Sequence, residues 1–401
     1  MSIFETMTPH VDRPRPLKVA VLGVSGSVGR QTLEVCRQHA DKVQVVAIAV
    51  RRSTDFLVSA AREFGVRHVA ITDSEYAHDP VLAELPKGCE VHVGYQSLAE
   101  LSTLPEVDCV VSAVVGFAGI RAGHAALTAG KVLAYANKET IVVAGDLLMP
   151  MVQPGQLIPV DSEHSAIYQC IVGHRTTDVH AIWLTCSGGP FYGKTREELA
   201  TVTAADALAH PTWTMGPKIT IDCATLMNKG LEVLEAYHLF EVPLDKINVL
   251  VQRQSRIHSM VEFADGATIA QLGPSSMTIP IQYALSYPER WETPVERIDY
   301  CEEPPITFGR ADEQAFGCLA LAKEAGRVGG TLPCAMNAAN EVANKAFRLG
   351  LCGFLDIEDT VRRVMDATDP VAVETIEQLM EVDERAREQA RGILGVDKET
   401  A

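Results

Sequence analysis

Residues 18–29 read KVAVLGVSGSVG, a short apolar run followed by three glycines at positions 23, 26 and 29. The apolar run predicts a buried strand, and QTLEVCRQH, residues 31–39 after the glycines, predicts a helix. Glycines between a strand and a helix let backbone N–H groups approach a pyrophosphate at the helix N-terminus. The spacing G-x-x-G-x-x-G is one residue away from the usual G-x-G-x-x-G. We therefore interpret this stretch as a dinucleotide-binding turn, with a tight structural turn as the alternative.

The end of the second predicted strand, residues 43–50, indicates which dinucleotide the turn would hold. An NAD site normally has Asp or Glu there to accept the ribose 2′-hydroxyl, whereas this chain has Arg51, Arg52 and Ser53. Two guanidinium groups and a hydroxyl would attract a 2′-phosphate, which predicts NADP as the cofactor. The alternative is a solvated pair of surface arginines.

Strand-like and helix-like segments alternate through the first part of the chain, which is typical of a parallel sheet with helical crossovers. From about residue 158, apolar strands are separated by long polar loops, and from about residue 313 the pattern is helical. The predicted strands are 18–22, 43–50, 68–72, 109–115 and 131–135 in the first part, and 181–185, 218–221, 248–251 and 268–272 in the second. Helices are predicted at 56–64 and 120–128.

These patterns predict an α/β fold with a Rossmann-like NADP-binding domain, a mixed α/β catalytic domain and a C-terminal helical bundle. The expected boundaries are 1–157 for the first domain, 158–285 for the second, 286–312 for a Pro-rich linker and 313–401 for the helices. A chain of 401 residues exceeds what one hydrophobic core usually serves, which agrees with several domains.

The amino-acid composition limits the kinds of partner the protein can bind and the compartment in which it works. The chain has 35 Lys+Arg against 52 Asp+Glu, a formal net charge of −17, which argues against nucleic acid or an anionic membrane as the main partner. No apolar run reaches the roughly 18 residues of a membrane span. The first residues contain Glu5 and no apolar core of a secretory signal. The ten cysteines form no C-x-x-C pair. We expect a cytoplasmic protein with reduced cysteines.

Four polar clusters stand out in the middle of the chain: residues 136–139 (ANKE), 161–164 (DSEH), 187–190 (SGGP) and 228–232 (NKGLE). Asp161 and Glu163 point the same way if the segment is extended, and a third carboxylate such as Glu232 would complete an all-oxygen site. Such a site suits Mg²⁺ or Mn²⁺. The alternative is a solvated turn.

Two further segments suggest a phosphorylated substrate. Ser187 with its glycines can offer a hydroxyl and backbone amides to a phosphate, and Asn228 with Lys229 adds an amide and a positive charge. Residues 210–216, HPTWTMG, combine apolar groups with Pro and Gly and predict a lid over a substrate. A packed loop with a core Trp is the alternative.

With these motifs in hand, the chain closely resembles the 1-deoxy-D-xylulose 5-phosphate reductoisomerase family, which catalyses the second step of the non-mevalonate isoprenoid pathway. The resemblance runs from about Lys18 to the C-terminus. It rests on GxSGSVG, ANKE, DSEHSAI, SGGPF, HPTWTMG, DCATLMNKGLE, QSRIHSMV and NAANE, which occur in the family's order. It implies an NADP-dependent oxidoreductase that rearranges its substrate with a divalent metal and then reduces it with NADPH to 2-C-methyl-D-erythritol 4-phosphate.

The resemblance also implies a role for individual residues. The implied NADPH contacts are Ser25, Gly26, Ser27, Val28, Arg51, Arg52, Ser53, Asn137, Glu139 and Gly216, and the implied metal ligands are Asp161, Glu163 and Glu232. The implied substrate contacts are Lys138, Ser162, Glu163, Ser187, His210, Trp213, Met215, Cys223, Asn228, Lys229, Glu232 and His258. Lys138, Glu163 and His210 are the implied catalytic residues. A homodimer is also what the resemblance implies.

Two positions depart from the family's pattern. Cys223 stands where a phosphate-binding Ser is expected, and a thiol is a poorer hydrogen-bond donor than a hydroxyl. Gln252 and Arg253 replace an expected His-Pro pair.

Two other functions stay open on the residues alone. One is another NADP-dependent dehydrogenase of a phosphorylated sugar or polyol, which would need no metal. The other is a nucleotide-sensing regulatory protein, which would need neither three carboxylates nor a lid.

Overall fold

The protein is described by a computed structural model that covers residues 13–114, 116, 119–213 and 215–398. The first twelve residues, with Glu5, and Val115 of the predicted strand 109–115 lie outside the described residues. Twelve strands are found in the described ranges. They are β1 (Leu17–Leu22), β2 (Val43–Val50), β3 (His68–Ile71), β4 (Glu90–Val93), β5 (Cys109–Ser112), β6 (Val132–Tyr135), β7 (Leu157–Pro159), β8 (Val179–Cys186), β9 (Ile247–Val251), β10 (Ile257–Phe263), β11 (Thr268–Leu272) and β12 (Gly309–Arg310).

The same ranges contain fifteen α-helices, none of them long and apolar enough to cross a membrane. They are α1 (Ser27–Gln38), α2 (Thr54–Phe64), α3 (Gln96–Ser102), α4 (Gly119–Thr128), α5 (Lys138–Leu148), α6 (Ser162–Ile171), α7 (Arg196–Leu199), α8 (Ala204–Leu208), α9 (Pro217–Ala224), α10 (Met227–Phe240), α11 (Thr278–Ser286), α12 (Gly317–Val328), α13 (Leu332–Arg348), α14 (Phe354–Asp366) and α15 (Ile376–Leu394).

The chain folds as two compact units. Unit 1 consists of the described part of Met1–Thr140, with Pro150–Arg175 and Ser276–Glu296. Its seven strands form one sheet in the order β4-β3-β2-β1-β5-β6-β7, with every pair parallel. The central strands are buried on both faces, which is why they read as continuous apolar runs. The parallel sheet predicted from the sequence is confirmed.

Unit 2 consists of Ile141–Met149, Thr176–Ser275 and Arg297–Ala401 as far as they are described. Its sheet has the order β11-β10-β8-β9-β12; β8 and β9 are parallel, and the other neighbours are antiparallel. The helices α12, α14 and α15 pack against α13. The predicted mixed α/β region and the helical C-terminal region are therefore confirmed.

One predicted strand, residues 218–221, is wrong. The sequence KITI alternates like a strand, but these residues lie in α9. Pro217 occupies the first turn, where a missing N–H costs nothing, and Lys218 pairs with Asp222 one turn later at 3.1 Å. The helical hydrogen bonds and this i,i+4 pair outweigh the β-propensity of the two Ile and the Thr.

Candidate active site

The glycine turn lies in unit 1 between β1 and α1, as predicted. Gly23 has φ +82°, and a Cβ there would stand 2.5 Å from the carbonyl oxygen of Ala113, at the end of the neighbouring β5. A Cβ on Gly29 would stand 2.4 Å from the Gly23 carbonyl oxygen. Gly26 is exposed at the N-cap of α1, where no described side chain caps the helix. Backbone N–H groups at this helix N-terminus are thus available to an anion.

The three residues after β2 are exposed in unit 1. Arg52 is engaged by a carboxylate, because its Nε lies 2.6 Å from Oδ2 of Asp73. Its guanidinium group also lies 5.8 Å from the centre of the Tyr76 ring. Arg51 and Ser53 flank it at the same end of the strand. The cations predicted for a 2′-phosphate are therefore at the carboxyl edge of the sheet, next to the glycine turn.

Asn137 and Glu139 follow β6 at this same edge. The Asn137 side chain donates a hydrogen bond to the Gly116 carbonyl oxygen at 2.8 Å and accepts one from the Thr140 amide at 3.3 Å. Gly119 leaves room for it, because a Cβ there would stand 2.3 Å from Asn137 Nδ2. Glu139 is buried in the first turn of α5. The order of strands therefore collects the sequence-predicted cofactor residues of unit 1 along one edge.

Asp161 follows β7 and caps α6, accepting a hydrogen bond from the Glu163 amide at 3.2 Å. Its second oxygen lies 2.9 Å from Nζ of Lys138, and the buried His164 ring lies 3.1 Å from the first oxygen. Burial disfavours the charge of Asp161, but Lys138 and His164 outweigh burial and hold the pKa of Asp161 well below its usual value. Asp161 is therefore an anion at neutral pH.

Glu163 and Ser162 complete this group at the start of α6. The Ser162 hydroxyl donates a hydrogen bond to the Glu163 carboxylate. The segment is the first turn of a helix rather than the extended strand considered from the sequence. Unit 1 therefore brings together Lys138, Asp161, Ser162 and Glu163, two carboxylates beside a cation and a hydroxyl.

In unit 2, helix α10 carries a second buried polar group. Glu232 accepts hydrogen bonds from the Asn228 side chain, at 2.6 Å, and from Lys229. Lys229 also donates to the carbonyl oxygen of Thr185 at the end of β8, at 2.5 Å. Leu226, just before the helix, has φ 59°, an uncommon conformation for a Leu. This turn precedes α10, in whose first two turns the side chains of Asn228, Lys229 and Glu232 are buried.

The loop 187–189 after β8 is held by four hydrogen bonds in unit 2. Ser187 Oγ lies 3.2 Å from Nε2 of His210 and accepts the Gly189 amide at 3.2 Å. One guanidinium nitrogen of Arg253 donates to the carbonyl oxygens of Ser187 and Gly189, at 2.8 Å each. A Cβ on Gly189, whose φ is +66°, would stand 2.8 Å from the Cys223 carbonyl oxygen. These contacts hold the loop against His210, Arg253 and the end of α9.

His210 is a neutral hydrogen-bond donor toward Ser187. Its Nδ1 accepts the amides of Thr212, at 3.3 Å, and Trp213, at 3.0 Å, which leaves the proton on Nε2. Burial lowers the pKa of His210, and the nearby Arg253 cation lowers it further.

The segment predicted as a lid forms no helix or strand in its described residues, and Thr214 lies outside them. Trp213 and Met215 are half-buried. The Trp213 ring lies 6.2 Å from the ring of His258. Burial lowers the pKa of His258 despite its hydrogen bonds to the Pro274 and Gly273 backbone. Gly216 caps α9, and Cys223 is half-buried near the end of that helix.

Sequence reasoning missed several residues that hold this arrangement. His164 belongs to the polar cluster 161–164, but the sequence alone assigns it no role; the structure shows that its ring supports Asp161, as the spacing D-x-x-H on a first helical turn allows. Asn340 and Asn344 of α13 both donate to Oδ1 of the buried Asp222, at 2.9 and 2.8 Å, and so anchor α9. Asn340 lies in the NAANE motif and Asn344 three residues after it, and the sequence alone assigns no role to either residue. The contacts of Arg253 had no sequence signal, because they depend on tertiary structure.

The fold and these side chains define a class: an α/β protein with a dinucleotide-binding type of sheet and clustered acidic and basic side chains at its carboxyl edge. Three segments match family profiles: residues 19–145 match 1-deoxy-D-xylulose 5-phosphate reductoisomerase, and residues 157–240 and 272–389 match two C-terminal domains of that enzyme. The chain belongs to the 1-deoxy-D-xylulose 5-phosphate reductoisomerase family.

Individual relatives agree. The reductoisomerase of Geobacillus sp. (strain WCH70) is 45% identical over 379 residues, covering 94% of this chain and 99% of that protein. The reductoisomerase of Chlorobium chlorochromatii (strain CaD3) is 47% identical over 381 residues, with the same coverage.

Two solved structures are similar along nearly the whole chain. The reductoisomerase from Zymomonas mobilis in complex with NADPH is 40% identical and superposes with a TM-score of 0.88, covering 95% of this chain and 99% of that one. A DOX-P reductoisomerase in complex with NADPH, fosmidomycin and magnesium is 35% identical, also with a TM-score of 0.88, covering 94% and 98%.

Proposed function

We propose that the protein converts 1-deoxy-D-xylulose 5-phosphate into 2-C-methyl-D-erythritol 4-phosphate, by a metal-dependent isomerisation followed by reduction with NADPH, in isoprenoid biosynthesis. The observation that carries the proposal is the group formed in unit 1 by Asp161, Glu163 and Lys138. It lies at the same carboxyl edge of the parallel sheet as the glycine turn. A hydride donor and an acidic metal site on one edge are what a reductive isomerisation requires.

NADPH fits the unit 1 residues that we assign to it. The backbone of residues 25–28 leads into α1, and the N–H groups at this helix N-terminus suit the pyrophosphate. Positions 23 and 29 have no room for a Cβ, so glycine at both positions allows the turn to pack closely against β5 and α1. Arg51, Arg52 and Ser53 suit the 2′-phosphate, although Arg52 must share its charge with Asp73. Asn137, Glu139 and Gly216 are proposed contacts from the family resemblance.

A divalent metal fits the chemistry of the carboxylates. Asp161 and Glu163 offer oxygen ligands, the type that Mg²⁺ and Mn²⁺ prefer, and Glu232 is the carboxylate that the resemblance adds. Nζ of Lys138 lies 2.9 Å from the Asp161 carboxylate, which shows that this carboxylate already binds a cationic group. When bound, the metal would act as a Lewis acid on substrate oxygens, and NADPH would supply a hydride.

The substrate phosphate is assigned to unit 2. Ser187, Asn228 and Lys229 offer a hydroxyl, an amide and an ammonium group, with Cys223 and His258 as further contacts. His210 donates toward Ser187 and keeps that hydroxyl oriented. Trp213 and Met215 are half-buried apolar groups in a loop, as a lid that excludes water requires. Remote phosphate contacts would hold both fragments while the carbon skeleton is rearranged.

Three residues are proposed to handle protons. Lys138 is buried with its ammonium on Asp161, so it can donate a proton to a substrate oxygen without exposure to bulk water. Glu163, which accepts the Ser162 hydroxyl, can take a substrate hydroxyl proton. His210 is neutral near pH 7, because burial lowers its pKa, and it can donate the Nε2 proton that lies toward Ser187.

For the domain organisation, we propose the boundaries that the sequence predicts. The proposed NADPH-binding domain is 1–157, the catalytic domain 158–285, the linker 286–312 and the helical domain 313–401. We also propose a homodimer in the cytoplasm, on the family resemblance and on the sequence features given above.

The test is a comparison of three reactions of the purified protein. NADPH oxidation is followed on adding 1-deoxy-D-xylulose 5-phosphate with Mg²⁺ or Mn²⁺, after removal of metal with a chelator, and with the Glu232→Gln variant. Turnover only with metal, and none in the variant, supports the proposal. Turnover that persists without metal indicates a plain dehydrogenase, and NADPH binding without turnover indicates a nucleotide sensor.

A further inference from the structure

Two histidines and a glutamate lie on the same face of β3 and β4, the two outermost strands on one side of the unit 1 sheet. Strands β3 and β4 are parallel neighbours in which His68 is paired with Glu90, and Ala70 with His92. Side chains two residues apart on a strand point to the same face. His68, Glu90 and His92, here called the β3–β4 cluster, therefore project together.

Each imidazole ring is fixed by a second carboxylate. Nε2 of His68 lies 2.9 Å from Oε1 of Glu106, and Nδ1 of His92 lies 2.9 Å from Oε2 of Glu100. An ionised carboxylate only accepts hydrogen bonds, so each of these nitrogens carries the proton. In a neutral ring the other nitrogen then keeps its lone pair.

Those other nitrogens are buried and have no hydrogen-bond partner among the described residues. They are Nδ1 of His68 and Nε2 of His92. Nδ1 of His68 lies 3.5 Å from Oε2 of Glu90, and the three residues offer ligand atoms within 4.8 Å of one another. Buried polar atoms without partners are rare in folded proteins and call for an explanation.

We propose that the β3–β4 cluster binds a transition metal ion, Zn²⁺ being the best match, through the two imidazoles and the Glu90 carboxylate. Zinc bonds of about 2.0–2.2 Å to nitrogen and oxygen place tetrahedral ligand atoms roughly 3.3–3.6 Å apart. The distance between His68 and Glu90 already matches this spacing. The Glu90 side chain is 69% exposed and can turn toward the ion, which leaves a fourth position for water.

Glu106 and Glu100 complete the arrangement. Carboxylates that accept the second N–H of a ligating His fix its orientation and raise its basicity. Imidazole ligands also distinguish this site from the all-oxygen carboxylate site proposed for catalysis, because they favour Zn²⁺ over Mg²⁺.

The position of the cluster indicates a structural role rather than chemistry. His68 and Glu90 are the first residues of their strands, whereas the glycine turn follows the last residue of β1. The β3–β4 cluster therefore lies near the amino ends of the parallel strands, whereas the glycine turn lies at their carboxyl ends. Strand β4 is an edge strand with exposed Val91 and Val93, so a metal that joins it to β3 would stabilise the end of the sheet.

The experiment measures Zn²⁺ binding by the metal-stripped full chain in competition with a chromophoric chelator. The Glu232→Gln background is used so that the proposed catalytic metal site lacks one carboxylate. We expect one tightly bound equivalent, with affinity lowered more than about a hundredfold by His92→Gln or Glu90→Gln, and by about 10- to 100-fold by Glu100→Gln. Bound Zn²⁺ should slow amide exchange in β4. In wild-type background, His92→Gln should leave turnover unchanged.

His180→Gln is the matched control, because His180 is an exposed histidine on a strand of unit 2. It should bind Zn²⁺ like its parent. Glu90 is exposed, so Glu90→Gln tests the ligand set without disturbing packing. The proposal is overturned if the parent binds no Zn²⁺ at micromolar concentration. It is equally overturned if His92→Gln and Glu90→Gln bind Zn²⁺ as tightly as His180→Gln.

Discussion

Nζ of Lys138 lies 2.9 Å from Oδ2 of Asp161, and only 7% and 13% of their side-chain surfaces are exposed. A charge pair this deeply buried is expensive to break, because the remaining ion is left without compensation. The pair joins the ends of neighbouring strands β6 and β7. It therefore serves both the fold of unit 1 and the proposed chemistry.

Replacing Lys138 with Met keeps the length of the side chain and removes its charge. We expect the free energy of unfolding to fall by about 3 kcal/mol, because the Asp161 carboxylate loses its cation. Urea denaturation at pH 7 measures this loss. The low pKa of Asp161 stabilises the fold above the unfolded value of about 3.9, and this contribution disappears as the pH falls through the folded value. Below that pH, the variant and the wild type should converge.

Lys87→Met is the control for that measurement, since Lys87 is an exposed lysine of the same unit. Its stability should stay close to that of the wild type. Equal stability of the two variants at pH 7 would show that the buried pair contributes nothing.

Gly29→Ala should weaken NADPH binding by more than about tenfold. The added Cβ would stand 2.4 Å from the Gly23 carbonyl oxygen, so the turn and the first residues of α1 must separate. Fluorescence titration with NADPH measures the dissociation constant. Gly123→Ala is the matched control, because the nearest atom to its Cβ would be 3.7 Å away. Unchanged affinity in Gly29→Ala would contradict the assignment of the turn.

Arg253→Gln should raise the KM for 1-deoxy-D-xylulose 5-phosphate about tenfold, with little change in kcat or in the KM for NADPH. The substitution removes charge-assisted hydrogen bonds to Ser187 and Gly189, which are worth roughly 1.5–3 kcal/mol. Arg253→Lys should restore only part of the affinity, because an ammonium group lacks the fixed fork of a guanidinium group. Arg310→Gln, an exposed arginine on β12, should behave like the wild type. A fall in kcat alone would point to a different role for Arg253.

His210 and His258 should titrate below the ordinary histidine pKa of about 6.5. Burial is the main cause for both. Because the folded state binds protons less readily than the unfolded state, the stability contributed by these rings is complete above pH 6.5. It is lost as the pH falls toward the folded pKa values. NMR titration of the two rings checks the direction, and the same rings in concentrated urea provide the reference. Folded values at or above the urea values would be incompatible with buried neutral rings.

The parallel sheet was predictable because its central strands are buried on both faces and carry continuous apolar runs. Strand β4 cannot be predicted in this way. Glu90, Val91 and Val93 are exposed on the outermost strand, so its sequence has no continuous run of apolar residues. The strand prediction for residues 218–221 is wrong because the alternating pattern of these residues does not include the effect of Pro217, which begins a helix. Candidate site residues came from polar clusters and the family resemblance. Their partners, such as Arg253 for Ser187, depend on a fold that brings distant residues together.

The most direct test of the proposed function is NADPH oxidation by the purified protein with 1-deoxy-D-xylulose 5-phosphate and Mg²⁺ or Mn²⁺. The account predicts one NADPH consumed for each 2-C-methyl-D-erythritol 4-phosphate formed, and no consumption after the metal is chelated. A folded, metal-loaded sample that binds NADPH but does not oxidise it with this substrate would contradict the account.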